Sequence, residues 1–487
     1  MADRLPVELS RLTARLPAER SVLGDSDRLV TSIESDSRAV RPGTLFVALR
    51  GERTDGHAFV AQAIARGAAA IVVEEPAAAF PEATVVTVAD SRRALSALSA
   101  AFYEDPSRSL DTVGVTGTNG KTTTVQMVRA ILDGAARPCG TIGTVGAEFR
   151  ERRWTLAQTT PLPPELHGLL AAMRDAGAVA VAMEVSSHAL ALGRVDDVTF
   201  RVAALTNVTR DHLDFHSTLE AYAAAKRRLF EMAQSAVLNV DDPLGARWAR
   251  ELRARGVPTI TYGERNGDLR PVELAVTPDG SRFAVDGTVF EVRLPGRFNA
   301  LNALAAIGIA RSLGLDDAAI APGLAHLDRV PGRMERFGDG GVDVVVDYAH
   351  TPDALERVLQ ALRETVSGSV FVVFGCGGDR DRGKRPEMGA VAARYADRVY
   401  VTSDNPRTED PRAIAAQIVA GISGGAHAVE LDRRTAIETA ITQACPGDAV
   451  LIAGKGHEVY QIVGREAIEF DDAVVARRAL RLRGAIR

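Results

Sequence analysis

The chain is poor in cysteine, in unbroken apolar runs and in excess charge of either sign, and each shortage excludes a class of protein. Its three cysteines, Cys139, Cys376 and Cys445, are odd in number, far apart and form no C-x-x-C pair. That argues against a disulfide framework or a thiolate zinc site and fits a reduced cytoplasm. Nowhere do about eighteen apolar residues run together, and the opening stretch MADRLPVELSRLTARL scatters charge where an export signal needs an apolar core. The expectation is a cytoplasmic chain with neither leader nor membrane contact. A formal net charge of −5 carries no polybasic signature for nucleic acid. What remains, 46% hydrophobic and 25% charged residues, is the composition of a soluble globular protein. At 487 residues three domains are the first expectation and two the next.

Against this background the richest chemical signal is VGVTGTNGKTTT, Val113 to Thr124. It reads as a strand, a glycine turn and a helix start. Gly117 and Gly120 let the backbone turn its N–H groups inward, Lys121 brings a point charge, and Thr122 offers a hydroxyl to Mg²⁺ at a helix N-terminus that favours anions. Together with Thr118, Asn119 and Thr123 this makes a triphosphate cradle. It is a variant: the strict pattern places glycine six residues before the lysine, where Val115 stands. The bland alternative is a Gly/Thr turn with a surface lysine, but the β-rich run before it and the helical run after it are the required context.

The flanks are ordered by βα alternation. TLFVAL (44–49), AAIVVEE (69–75) and ATVVTV (83–88), with helical AFVAQAIARG (58–67), predict a small α/β domain ending near residue 108 at the Asp-Pro-Ser turn. VAVAMEVSSH (179–188), RVAALTN (201–207) and SAVLNVDD (235–242) each stop at a polar cluster, the pattern of a mostly parallel sheet with ligands beyond its strand ends. Residues 273–296 alternate with Asp-Gly turns and predict antiparallel hairpins before a helix over 299–314. After Pro331-Gly332-Arg333 the rhythm restarts in VDVVVDYAH (342–350), SVFVVFGCGG (369–378), RVYVTSDNP (398–406) and DAVLIAGKGHE (448–458), a separate doubly wound domain. The fold class is thus α/β in three parts, 1–108, 109–331 and 332–487.

Glu184, closing one apolar run, and His212, in NVTRDHLDFH, together suggest a metal site beside the phosphates. An oxygen-rich set with one imidazole suits Mg²⁺ or Mn²⁺ better than zinc. Each alone has a plainer reading, a solvated strand-end carboxylate and a structural histidine. Lys226, followed by Arg227 and Arg228 in LEAYAAAKRRLF, reads on its own as part of a solvated basic helix face.

GTNGKTTT, MEVSSH, NVTRDHLDFH, the isolated Lys226, NALNALAA (299–306), GRME (332–335), DYAHTPDAL (347–355), GCGGDRDRGKRP (375–386), DNPRTEDP (404–411) and AGKGHE (453–458) resemble, over nearly the whole chain, the Mur ligases of bacterial peptidoglycan synthesis. Within that family the sequence is most similar to the MurE type, which adds the third residue of the stem peptide. The resemblance implies a UDP-sugar domain, a central ATPase and a carboxy-terminal amino-acid domain. It implies Ser35, Ser37 and Arg38 at the uridine nucleotide, and Thr159, Thr160, Ser186 and Arg194 at the muramoyl-dipeptide. Lys226 falls on the lysine that relatives carry as a carbamate, N6-carboxylysine. Asn302, Arg333, Asp347 and His350 would reach the nucleotide from a helix, the hinge and the third domain.

Amino-acid choice turns on DNPR. Asp404 and Asn405 can orient an amino group, Pro406 stiffens the turn, and Arg407 can fork onto a carboxylate. A plain Asp-Asn-Pro turn is the bland reading. Among relatives DNPR is similar to the version for meso-diaminopimelate, and Arg380, Gly454 and Glu458 match the neighbouring positions of that pocket. The implied activity is ATP- and Mg²⁺-dependent ligation of meso-diaminopimelate to UDP-N-acetylmuramoyl-L-alanyl-D-glutamate through an acyl phosphate, by a monomer, forming ADP and phosphate. Alternatives are the lysine-adding ligase of the same type, a folylpolyglutamate synthetase, which would need folate in place of the UDP-sugar, and a non-ligase ATPase or nucleotide-dependent binding protein, which needs no amine.

Overall fold

Short runs of β-branched residues, stopped by glycine, aspartate or asparagine, build three main sheets in a computed structural model that describes residues 5–51, 54–75, 80–339 and 341–486. The first sheet has five strands in the order Ser21–Leu23, Thr84–Thr87, Ala70–Val73, Thr44–Val47 and Ser32–Glu34, parallel except for the first. Helix Ser91–Phe102 starts where the Asp90 side chain accepts the N–H groups of Arg92 and Arg93, capping two otherwise unpaired donors. A single turn at Pro106–Arg108 then leads into the next sheet.

That second sheet has eight strands in the order Arg152–Trp154, Gly146–Phe149, Cys139–Gly143, Ala180–Glu184, Asp111–Thr116, Phe200–Leu205, Ala233–Asn239 and Thr259–Tyr262. The last six run parallel; the first two form an antiparallel hairpin extension that the βα rhythm did not announce. Along Ala180–Glu184 the side chains divide between two cores, Ala180 and Ala182 on one face and Val181 and Met183 on the other. Both faces are buried, which is why the strands read as continuous apolar runs. Each such Val or Met contributes about 1.5–3 kcal/mol on burial. The strand carrying the nucleotide loop lies between Ala180–Glu184 and Phe200–Leu205, so the carboxyl ends of three strands open onto one point.

The antiparallel hairpins expected over 273–296 are present as Val272–Thr277, Gly280–Val285 and Thr288–Val292. Asp286 and Gly287 both take positive φ, 50° and 85°, the backbone of a type I′ turn. The third main sheet runs Glu335–Asp339, Val342–Asp347, Ala449–Ala453, Val370–Phe374, Arg398–Val401 and Ala426–Val429, parallel except for its first strand. It too separates two cores, with Val372 facing one and Val373 the other. A small hairpin, Tyr460–Val463 with Glu466–Glu469, stands outside this sheet.

Cys139 and Cys376 are buried, Cys445 is exposed, and all three are free thiols. Among the described residues no helix is long and apolar enough to cross a membrane.

Candidate active site

Strand Asp111–Thr116 hands over to helix Lys121–Gly134 through a loop that only glycine can form at two points. A Cβ on Gly117 would sit 1.8 Å from Thr206 Oγ1, and one on Gly120, where φ is +88°, would sit 2.4 Å from Asn302 Oδ1. The loop is therefore clamped between a neighbouring strand end and helix Arg297–Ser312. Thr118 N donates to Asn207 O at 2.9 Å, Asn119 N to Asn207 Oδ1 at 3.0 Å, and Thr206 Oγ1 to Asn119 O at 2.6 Å. The N–H groups at the start of the helix are left for an anion. Lys121 Nζ donates to the carbonyls of Gly117 and Thr118, each at 2.9 Å. Burial lowers its pKa, while Glu184 and Asp211 oppose that.

Glu184 is 1% exposed yet faces the same cleft, and it is held from two sides. Thr122 Oγ1 donates to its Oε1 at 2.9 Å; Thr144 donates to Oε1 from its backbone at 2.8 Å and to Oε2 from its hydroxyl at 3.0 Å. His212 takes a left-handed φ of +53°, with Nε2 3.4 Å from Asp211 Oδ2. Burial pushes its imidazole down to about 4, so at neutral pH it is uncharged and able to bind a cation. Among the described residues no three or more His, Cys, Asp or Glu side chains form a closed cage. Thr122, Glu184 and His212 fit a hard cation that keeps water and phosphate oxygens as its other ligands, as Mg²⁺ does.

Lys226 corrects the plain reading of its helix. It is 1% exposed, not solvated: Nζ donates to Gly117 O at 2.8 Å and lies 4.3 Å from the centre of the Tyr222 ring. Burial and the nearby Lys121 drive its pKa well down. Arg227 and Arg228 point elsewhere, Arg227 to Glu251 at 3.1 Å and Arg228 to Asp196 at 3.0 Å.

The third sheet brings its own residues over the loop. Arg333 Nη2 donates to Thr122 Oγ1 at 3.0 Å, and its guanidinium lies 4.5 Å from the centre of the Tyr348 ring. Asn119 Nδ2 donates to Asp353 Oδ2 at 2.8 Å. Asp347 accepts the backbone N–H groups of Met334 and Ala349, both at 2.8 Å, and burial raises its pKa. His350 shares Nδ1 with Tyr348 O at 2.8 Å, and burial lowers its pKa. Asn302, Arg333, Asp347 and His350 all line the cleft above the phosphate loop.

A second cleft adjoins the first, and Thr144, Thr159, Asp211, His212, Tyr348 and His350 line both. Arg380, Asp404, Asn405, Arg407, Gly454 and Glu458 line the second. Pro406, buried in the turn, does not line it. Buried Lys455 pairs with Glu458 Oε2 at 3.0 Å and donates to Asn405 Oδ1 at 3.1 Å, and Asn405 Nδ2 donates to Glu458 Oε2 at 2.9 Å. One oxygen of Glu458 is thereby tied down. Arg380 Nη1 donates to Asp379 O at 3.0 Å. Arg407 Nη1 donates to Gly378 O at 2.9 Å, and its side chain has no carboxylate partner among the described residues.

Thr159 and Ser186 line the first cleft, whereas Thr160 is fully buried behind it, bonding Glu184 O at 2.9 Å and accepting Ser186 N at 3.1 Å. Arg194 donates to Thr160 O at 3.0 Å and to the Gln158 side chain. Ser35, Ser37 and Arg38 line neither cleft: Ser37 Oγ donates to Gln62 Oε1 at 3.0 Å, and exposed Arg38 pairs with Asp36 at 2.7 Å. Sequence reasoning missed Thr144, Asn207, Asp211, Tyr348, Asp353 and Lys455. Asn207, Asp211, Tyr348, Asp353 and Lys455 sit inside motifs already singled out, so their signal was position; Thr144, in an unremarked hairpin turn, had none.

The sequence model of the Mur ligase family catalytic domain matches residues 29–103, that of the Mur ligase middle domain 115–310, and that of the Mur ligase glutamate ligase domain 332–456. A UDP-N-acetylmuramoyl-L-alanyl-D-glutamate–2,6-diaminopimelate ligase of Syntrophomonas wolfei is 45% identical over 474 residues, covering 94% of this chain and 96% of its own. One from Gloeobacter violaceus is 46% identical, covering 97% and 98%. A solved structure of a ligase with that same name superimposes with a TM-score of 0.69 at 34% identity, covering 99% of this chain and all of its own. With the loop, the buried carboxylate and the third sheet's arginine gathered on one cleft, and matches of this extent, the chain belongs to the Mur ligase family.

Proposed function

We propose that this chain joins meso-diaminopimelate to the D-glutamyl γ-carboxylate of UDP-N-acetylmuramoyl-L-alanyl-D-glutamate, with ATP and Mg²⁺, as a monomer in the cytoplasm. The observation that carries the reading is the meeting of two clefts along Thr159, His212, Tyr348 and His350: one holds the phosphate loop and Glu184, the other the guanidinium of Arg407, which among the described residues bonds backbone carbonyls and no carboxylate. A carboxylate lying on that seam faces a phosphoryl group on one side and an amine on the other. Residues 1–108 would hold the UDP-sugar through Ser35, Ser37 and Arg38, 109–331 the ATP, and 332–487 the amino acid.

Lys121 and the helix N-terminus would neutralise the γ-phosphate as the substrate carboxylate attacks it, breaking the γ-phosphorus bond to the bridging oxygen and giving an acyl phosphate and ADP. Thr122, Glu184 and His212 would hold Mg²⁺, which would supply charge neutralisation for the phosphoryl transfer. Asn302, Arg333, Asp347 and His350 would position the nucleotide, and Thr159, Ser186 and Arg194, with Thr160 behind them, the muramoyl peptide. Glu458, with Asp404, would orient the incoming amine, which attacks the acyl carbonyl and expels phosphate. Arg407 and Arg380 would take the distal carboxylate that lysine lacks.

Burial and Lys121 disfavour the charged form of the Lys226 amine, and an uncharged amine is the form that adds CO₂ to give a carbamate and a proton, which would place an anion beside Gly117. The test of the whole reading is product analysis. With ATP, Mg²⁺ and the UDP-dipeptide, diaminopimelate should yield the tripeptide by mass and lysine should yield far less; equal products would remove the diaminopimelate assignment.

A further inference from the structure

The hairpin Tyr460–Val463 with Glu466–Glu469 lies outside the six-stranded sheet, and six of its eight strand residues are exposed. Two strands this short do not stand alone in water, so something must hold them. What they bond to is the DNPR turn. Arg407 N donates to Ile462 O at 3.1 Å, and Gly464 N, at the hairpin tip, donates to Arg407 O at 2.8 Å, so both backbone groups of Arg407 are paired with the hairpin. Val463 and Arg407 form an isolated parallel bridge. Ile462 N donates to Asn405 Oδ1 at 2.9 Å, and Gln461 Nε2 donates to Asp404 O at 2.6 Å.

These contacts fall on a residue whose backbone needs support. Arg407 has φ of +50°, a left-handed conformation that a long side chain adopts only where its surroundings impose it. In that conformation Nη1 reaches Gly378 O and the guanidinium lines the second cleft. An extended backbone at 407 would turn the side chain elsewhere. Tyr460, at the start of the same hairpin, lines that cleft as well.

We infer that the hairpin 460–469 is a specificity element: it clasps the DNPR turn, imposes the left-handed backbone at Arg407, and so fixes the guanidinium where it can meet a second carboxylate on the incoming amino acid. Gly464, which bonds Arg407 O, and Gln461, which bonds Asp404 O, are positioning residues that act through the DNPR turn on Arg407. The inference rests on the reading of the second cleft as the meso-diaminopimelate site. Loosening the clasp lowers the fraction of chains with Arg407 in place, and affinity for a dicarboxylate falls by that fraction, while the phosphoryl-transfer groups stay where they are.

The experiment compares full-length wild type, Gln461→Ala and Gly464→Pro in steady-state ligation. Gln461→Ala removes one hydrogen bond to the turn. Gly464→Pro removes the N–H that Arg407 O accepts and, because proline cannot keep the φ of +62° found at Gly464, also breaks the left-handed tip that presents it. Expected in Gly464→Pro is a rise of tenfold or more in KM for meso-diaminopimelate, and in Gln461→Ala a smaller rise of the same kind. In both, kcat stays within about twofold and KM for ATP and for the UDP-dipeptide is unchanged. An unchanged diaminopimelate KM, a loss confined to kcat, or a parallel loss for all three substrates overturns the inference. If Gly464→Pro fails to fold, Gln461→Ala decides it alone. Wild type that makes no tripeptide from diaminopimelate is a different result, and it removes the proposed function instead.

Discussion

Arg333 Nη2 donates to Thr122 Oγ1 at 3.0 Å, so a residue at the start of the third sheet's segment bonds the phosphate loop 211 positions away. Asn119 with Asp353 and Arg210 with Glu387, at 2.8 and 2.7 Å, bridge the same junction. Arg333→Ala should therefore loosen the junction and remove a cation from the nucleotide cleft. Expected are a larger radius of gyration by solution scattering and a fall in kcat/KM for ATP of roughly 10²-fold. Unchanged scattering would show that this bond does not hold the two parts together.

Glu184 is a buried carboxylate whose oxygens already accept from Thr122 and Thr144. Glu184→Gln keeps the shape and an acceptor oxygen but removes the charge. Stability should change by only about 1 kcal/mol, whereas ADP release should fall by at least about 10²-fold and need more Mg²⁺ to reach half its maximum. Thermal melts and a Mg²⁺ titration of the two proteins separate these effects.

Lys226 gives a pH prediction. Its folded-state pKa lies well below the ordinary lysine value because burial and Lys121 oppose the charge. Between the folded and unfolded pKa values the unfolded chain binds more protons, so stability rises with pH across that window and falls as pH drops through it. In CO₂-free buffer, wild type compared with Lys226→Met should lose relative stability on acidification, by at most ~1.4 kcal/mol per pH unit. A constant difference from pH 9 to pH 6 would mean that the amine is charged in the folded protein.

Much of this was legible beforehand, and the gaps have physical reasons. Parallel strands buried on both faces, such as Ala180–Glu184, announce themselves as apolar runs, and the phosphate loop carries its glycines at positions where a Cβ would collide. Edge elements do not. Strand Glu335–Asp339 is ERFGD, with a single apolar side chain, and the hairpins at 146–154 and 460–469 mix polar residues into strands that are partly or largely exposed. Lys226 read as solvated because helical spacing says nothing of what packs on it; the phosphate-loop carbonyl of Gly117 and the Tyr222 ring make the site dry. Thr144 reaches Glu184 only because the unanticipated hairpin turns there.

Arg407 lacks a carboxylate partner among the described residues and faces the second cleft. Arg407→Lys replaces a planar two-pronged donor with a point charge. KM for meso-diaminopimelate should rise by about 10²-fold or more, toward the ~10⁴ discrimination available to a site built for a polar group, with little change in any residual use of lysine. An unaltered preference in parallel assays would take Arg407 out of amino-acid selection.

The central claim, that one cleft phosphorylates a sugar-linked peptide's carboxylate and its neighbour delivers the amine, is tested most directly by ADP release from the purified full-length protein under four conditions: ATP and Mg²⁺ alone, with each co-substrate, and with both. Sustained release only when the UDP-dipeptide and meso-diaminopimelate are present together, one ADP per tripeptide formed, is the predicted result. Equal turnover without the amine, or none with everything supplied, would contradict it.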